Sequence, residues 1–410
     1  MKRVVGADVA RGLAVLGMFT AHLGDERSVT FASLRWMEVV DGRSAALFAF
    51  LAGVSAALLS GGPRPVTGAR LGHARVRVLG RAVLLWPLGA VLIALATPVM
   101  VILPGYAVMF GLTALLLSVR TRWVLVGAAV VALVGPVVVS LVREATPLTR
   151  LPQPVDVLVG DHYPAAVWMA YLLAGLAVGR TDLAGTRAPW RLLAWAVPLA
   201  TVGYGSGLLA REVLPPDAWR TRALMDVAPH ANTTPEVVGN VGVALAVLGV
   251  SLLAARHLRG LVVPLAATGA LALTAYSGHI VAIAVMGNAV VWQPSNARLG
   301  VFILVTAVVA TLWRRFVGRG PLEAGLHLAS TAFADALVPA GRRRPDPIPG
   351  VMGSDADQQP AVEHREPPVG SRTPGAPPVG DDLEGDVVGE GVGEGLAGEL
   401  RGRDPLGPQP

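Results

Sequence analysis

The sequence predicts an all-α fold: a polytopic membrane helix bundle of about ten transmembrane helices with a disordered C-terminal tail. Three observations predict it. Hydrophobic residues make up 53% of the 410 residues and charged residues only 15%, against about 25% charged in a typical soluble domain. The mean hydropathy is +0.56. Uncharged runs of about 20 residues, the length a helix needs to cross the hydrocarbon core, recur through residues 1–340.

The first run, from Gly12 to about Gly24, follows Lys2, Arg3 and Arg11. No small-residue cleavage site stands out, so it predicts a retained span and not a cleaved signal peptide. The second is Ser44–Ser60. The stretch Ala82–Val119 holds 38 residues, too many for one span, and Thr97-Pro98 with Pro104-Gly105 marks the turn between two. Trp123–Val142, Tyr163–Gly179, Leu192–Ala210 and Val237–Ala255 supply the fifth to eighth spans. The ninth starts near Val262 and continues to about Val290, and the tenth is Leu299–Trp313.

Basic residues orient these spans. With the N-terminus inside, the inner loops hold 18 Lys and Arg and the outer loops hold 9. That bias predicts ten helices with both termini cytoplasmic. Residues 341–410 form a second region. They carry 13 acids and 7 basic residues, a net of −6, and no aromatics, which leaves residues 1–340 at +12. A Pro-, Gly- and acid-rich segment of this kind cannot bury enough surface to offset its ordering entropy, so disorder is expected. The basic excess of the body is what juxtamembrane loops produce and is no sign of a nucleic-acid partner. Membrane lipids are the expected partner.

Cysteine is absent, which excludes disulfides, thiolate metal sites and a catalytic thiol. The histidines show no metal-ligand spacing, so no metal is predicted. Four of them fall on the outer side of the predicted topology. His22 ends the first span, His162 precedes the sixth, His230 precedes the eighth, and His279 lies in the outer half of the ninth. An imidazole near neutrality can take a proton from an attacking hydroxyl or amine. The plainer reading is a histidine capping a helix or contacting headgroups. Asp25, Glu26, Glu38 and Asp41 crowd the first outer loop, where one could orient His22.

On the inner side, Asp8 and Arg11 are spaced for a local ion pair, either an orientation anchor or a contact for an anionic ligand. The segment 61–81, read as a loop, carries five arginines, Arg75 and Arg77 among them, and His73. It is either a positive-inside anchor or the basic mouth of a site for a phosphate-bearing donor. The span glycines Gly53 and Gly175 are expected at helix-packing positions.

Several segments in order resemble one family. Asp8-x-x-Arg11-Gly12-Leu13-Ala14-Val15-Leu16-Gly17-Met18, then His22, resembles the opening of the transmembrane acyltransferase group. That group includes heparan-α-glucosaminide N-acetyltransferase and the YeiB-like proteins, also known as domain of unknown function 418. Asp41-Gly42-Arg43 with Leu47-Phe48-Ala49-Phe50-Leu51-Ala52-Gly53 resembles its second span, and Tyr163-Pro164 with Gly175-Leu176-Ala177-Val178-Gly179-Arg180 its middle span. Pro229-His230, Thr234, Glu236-Val237, Gly239-Asn240 and Gly242 resemble a stretch of the bacterial branch. Leu273-Thr274-Ala275-Tyr276, His279 and Trp313-Arg314-Arg315-Phe316 through Glu323 resemble its C-terminal signature.

The resemblance implies an inner-membrane enzyme that moves an acyl group, from acetyl-CoA or another acyl-CoA, to an envelope glycan or glycolipid outside. His22 stands where the family has Asn or His tied to the reaction. The histidine of the glucosaminide branch's next loop has no counterpart between Asp25 and Asp41, and Val101 stands where many relatives carry an acid. The resulting expectation is His22 as general base, His279 and His230 orienting the acceptor, and Arg11, Asp8, Arg75 and Arg77 serving the donor. The alternatives are a transporter or export factor and an inactive membrane scaffold. The sequence leaves a homodimer open.

Overall fold

The computed structural model describes residues 3–25, 39–146 and 153–338; Glu26, Glu38 and the expected tail 341–410 lie outside the described residues. Among the described residues the chain is helical throughout. The order is α1 (Val5–Leu23), α2 (Arg43–Leu59), α3 (Gly68–Ala94), α4 (Leu103–Leu116), α5 (Thr121–Ala145), α6 (Gln153–Val159), α7 (Ala165–Gly179), α8 (Ala188–Val213), α9 (Trp219–Leu224), α10 (Thr234–His257), α11 (Val263–Ala270), α12 (Ala272–Met286), α13 (Ala289–Trp292), α14 (Asn296–Phe316) and α15 (Pro321–Leu337).

Each of the ten apolar runs lies on one of these helices, the ninth on a bent pair. Helices α3, α5, α8, α10 and α14 are long and apolar enough to cross a membrane. A sixth span results if α11 and α12, bent by 80° at their junction, are one element. Helices α2, α4 and α7 are apolar but shorter. The chain is an integral membrane protein by this content of apolar helices. Large side chains such as Trp195, Val285 and Leu304 stand exposed, as suits helices surrounded by lipid tails. A soluble monomer would not leave so much apolar surface uncovered.

Helix α3 begins well before its uncharged run. Residues 68–81 are not a loop but the first turns of α3. Arginines do not break a helix; they carry it out of the hydrocarbon, and counting uncharged residues sees only the buried part.

Helix α1 lies at the centre, against α2, α10, α11 and α14. Small residues let the backbones meet. A Cβ on Gly12 would run into the carbonyl of Leu265, and one on Gly269 into that of Asp8, so α1 and α11 touch main chain to main chain. Gly53 and Gly175 do the same for α2 and α7, each facing a carbonyl of the other helix, Leu172 and Phe50. This places Arg11, near one end of α1, beside α11 and α2. His22 is eleven residues further on, about 16 Å along the axis.

The α11–α12 break has a definable cause. The carboxylate of Glu323, on α15, accepts the backbone N–H groups of Leu273 and Thr274 at 2.7 and 3.0 Å and the Thr274 hydroxyl at 2.6 Å. These are the donors a helix N-terminus leaves unsatisfied, so a side chain fifty residues downstream starts α12.

Candidate functional site

A cleft of about 580 Å³ opens among α1, α2, α3, α4, the α11–α12 break and α15. Arg11, Arg77 and Arg81 line it together with Phe48, Tyr106 and Glu323. Arg11 is committed: its guanidinium donates to Asp8 at 2.8 Å, to Ser55 at 2.8 Å and to the Gly269 carbonyl at 3.3 Å. Asp8 is buried and also pairs with Arg3. It steadies Arg11 and does not itself line the cleft. Arg81 differs. It lines the cleft, its Nε is buried, and it has no hydrogen-bond or ion-pair partner among the described residues. An unpaired guanidinium held out of water is costly, and an anion entering the cleft would satisfy it. His327, on α15 beside Arg77, is held below its ordinary value by burial and then by the charges of Arg319, Arg77 and Arg81. The mouth is therefore strongly positive.

Arg75 and Arg77 were expected together. The helix separates them: Arg75 turns away to donate to Ser118 at 2.7 Å, while Arg77 and Arg81, one turn apart, share the face toward the cleft.

At the other end of α1, Nδ1 of His22 lies 3.1 Å from Nε2 of His279. The ring planes are 7° apart with centroids at 5.3 Å. That separation is close to the N···N distance plus two ring radii, so the imidazoles meet edge to edge. The Nδ1 of His279 contacts the Tyr276 carbonyl. A carbonyl only accepts, so His279 carries its proton on Nδ1 and offers the Nε2 lone pair. His22 then donates from Nδ1, and its own Nε2 is left with a lone pair. Among the described residues no carboxylate hydrogen-bonds His22; its partner there is a second histidine, and Glu26 and Glu38 lie outside the described residues.

Asp41 instead faces His230, with Oδ1 3.6 Å from Nε2. The His230 side chain sits among Trp168, Tyr163 and His162, with ring centroids at 6.1, 5.3 and 5.9 Å. Asp41 is held below its ordinary value by its bond to His230 first, and His22 contributes the smallest of the remaining effects. Burial pulls His230 down, but the bond and charge of Asp41 and the charge of Glu236 outweigh it, so its pKa stands above the ordinary 6.5.

The loop bearing His230 is strained, with His230 at φ +62° and Asn232 at φ +56°, a region non-glycine residues seldom adopt. Glu236 holds it there. Its buried carboxylate accepts the N–H of His230 at 3.0 Å and of Asn232 at 2.6 Å. The Asn232 side chain bonds Trp168 and the Asp161 carbonyl. The Thr233 hydroxyl caps α10 by accepting from Glu236 N–H.

Aromatic rings connect the two ends. Phe48 and Tyr106 line the cleft; Phe48 packs on Tyr276, with centroids at 6.4 Å, and Tyr276 on His279, at 5.3 Å. Sequence reasoning found His22, His279, His230, Arg11 and Arg77 but did not single out Arg81, Ser55 or Tyr106. The i, i+4 spacing of Arg77 and Arg81 ahead of an apolar run was the available signal. Among the described residues no three His, Asp or Glu side chains gather as metal ligands.

Residues 3–207 match the family model described as heparan-alpha-glucosaminide N-acetyltransferase, catalytic. No curated protein matches the chain significantly. The matched stretch includes Arg11, His22, Asp41 and Arg81; His230 and His279 lie beyond it.

Proposed function

The chain belongs to the heparan-alpha-glucosaminide N-acetyltransferase catalytic family, and from that membership we propose that it transfers an acyl group, in the first instance acetyl, from a cytosolic acyl-CoA to a sugar hydroxyl or amine of an envelope glycan or glycolipid. Membership makes it an acetyltransferase-type enzyme of the membrane. The donor and acceptor are our reading, as are ten crossings of the bacterial cytoplasmic membrane with both termini inside.

One observation carries the reading. A basic cleft with the unpaired Arg81 lies at the N-terminal end of α1, an imidazole pair lies at its C-terminal end, and aromatic rings join them; we read the first as the inner end. The donor's phosphates would meet Arg81 and Arg77, and the thioester would extend past Phe48 and Tyr106. His22 Nε2 takes the proton from the acceptor as its oxygen or nitrogen bonds to the acyl carbon. The C–S bond breaks, and the imidazolium returns the proton to the departing sulfur. His279 keeps the tautomer of His22 fixed. The surrounding apolar helices keep water from the thioester.

The test is equilibrium binding of acetyl-CoA to the full chain in detergent. Arg81→Gln should weaken binding about tenfold or more, the worth of one hydrogen bond to a charged group. His22→Ala should leave it intact. Absence of saturable binding would overturn the donor assignment. The bent α11–α12 element favours a second reading, a transporter, since broken helices mark transport sites. Acceptor flux into proteoliposomes without acyl-CoA would support that reading instead.

A further inference from the structure

On the side of the molecule that carries His230, a polar cavity of about 640 Å³ lies between α8, α9 and the loop leading to His230. Arg43, Arg211, Arg222, Asp226 and Pro229 line it. It is separate from the donor cleft, and from Leu208 onward its lining lies beyond the matched stretch.

Its charge is unusual for its place. Outward segments of membrane proteins are poor in arginine, yet three guanidinium groups face this cavity. Two other outer arginines have carboxylates of their own: Arg220 pairs with Glu144 at 3.3 Å and Arg143 with Asp161 at 3.8 Å. Arg211 and Arg222 have none within ion-pair distance among the described residues. Arg222 donates to the Leu214 carbonyl at 2.8 Å, which fixes its head. Arg43 is fixed too, bonded to the Tyr204 hydroxyl at 2.9 Å and stacked over that ring. Asp226 is the cavity's carboxylate; its Oδ1 accepts the Ala228 N–H at 3.0 Å. Arg211 and Arg222 outnumber the one aspartate, so the cavity keeps an excess of positive charge without counting Arg43.

The cavity shares a wall with the His230 loop. Pro229 lines it and precedes His230, and Gly42, next to Arg43, packs against the backbone of both. Tyr204, which holds Arg43, also bonds Asn240, and Asn240 bonds Glu236, the residue that fixes His230. The cavity and the Asp41–His230 pair are therefore close neighbours, with the Gly42 and Pro229 backbone between them.

We propose that this cavity is a phosphate subsite for the acceptor, so that the substrate is a phosphorylated sugar or a phosphate-linked glycolipid. A phosphate ester carries about −1 to −2 and free oxygens that accept hydrogen bonds, which fits the positive excess and the two guanidinium forks of Arg211 and Arg222. The inference rests on the acyltransferase reading for the word acceptor, but not for the site itself.

The experiment uses the full chain in phosphatidylcholine nanodiscs and titrates glucosamine 6-phosphate, glucosamine and inorganic phosphate. Glucosamine 6-phosphate is expected to bind saturably and to be displaced by inorganic phosphate, while glucosamine gives no signal. An Arg211→Gln/Arg222→Gln variant should bind it at least about tenfold more weakly while keeping acetyl-CoA binding, which shows that it is folded. Displacement by added phosphatidylglycerol identifies a lipid-borne phosphate as the occupant; indifference to that lipid identifies a soluble one. Absence of phosphate binding, or binding that survives the double substitution, overturns the subsite. If acetyl-CoA binds and phosphate does not, the subsite alone fails. If phosphate binds and acetyl-CoA does not, the transferase reading alone fails.

Discussion

His22 and His279, 257 residues apart in the chain, share one hydrogen bond, from Nδ1 to Nε2 at 3.1 Å. The Tyr276 carbonyl behind His279 gives that bond a direction and leaves the free lone pair on His22 Nε2.

Removing either histidine should therefore affect the chemistry in different ways. His22→Ala should lower kcat by about 10²–10⁴, the usual worth of general-base help, with acetyl-CoA binding unchanged. His279→Ala frees the His22 tautomer and should lower kcat less. His279→Gln, whose carbonyl can accept from His22, should recover part of the loss. Single-turnover transfer rates distinguish these cases, and equal rates in His22→Ala and wild type would remove His22 from the reaction.

The Asp41–His230 pair sets a pH window. His230 is raised above 6.5 in the folded protein, so its stabilisation is complete below that value and is lost as pH rises through the higher folded value. Asp41 is lowered from 3.8, so its contribution is present above 3.8 and is lost as pH falls through the lower folded value. The pair should stabilise most between pH 4 and 6.5 and weaken toward alkaline pH. Tm measured from pH 5 to 9 in wild type and Asp41→Asn checks this: the variant should lose the alkaline decline.

Glu236 bears the strained loop. Glu236→Ala would leave the N–H groups of His230 and Asn232 without their acceptor, at about 1–3 kcal/mol for each buried donor. Glu236→Gln keeps one acceptor oxygen and should cost less. The order wild type, Gln, Ala should appear in Tm.

Close helix approach makes a fourth prediction. Gly53→Val and Gly175→Val place a side chain against a facing carbonyl and should destabilise by about 1–3 kcal/mol or more. Gly278→Ala meets nothing within 4 Å and should be tolerated. Thermal unfolding in detergent separates the two classes.

Much of this was legible in the sequence because lipid imposes a simple rule: helices must be apolar over a set length. Each uncharged run, from Gly12–Gly24 to Leu299–Trp313, falls on helix. The break at Leu271 was not legible. Nothing in the run from Val262 to Val290 disrupts a helix at that point, since the cause, Glu323, sits fifty residues away and acts through space. The order of spans predicts the histidines on one side; the pairing of His22 with His279, and of Asp41 with His230, depends on how α1, α10 and α12 pack. Arg75 and Arg77 looked equivalent until the start of α3 was known; helical phase then sends one to Ser118 and the other to the cleft.

Glu323 gives the last described helix an unexpected duty. The carboxylate that begins α12 also fixes where, three turns along that helix at most, the His279 ring stands. A chain cut before Pro321 would retain every residue of the matched stretch and both imidazoles, yet the imidazole pair would come unlatched from behind. The geometry of that pair would then depend on a segment beyond the matched stretch, one that lines the basic cleft at Glu323 and acts on the histidines only through α12.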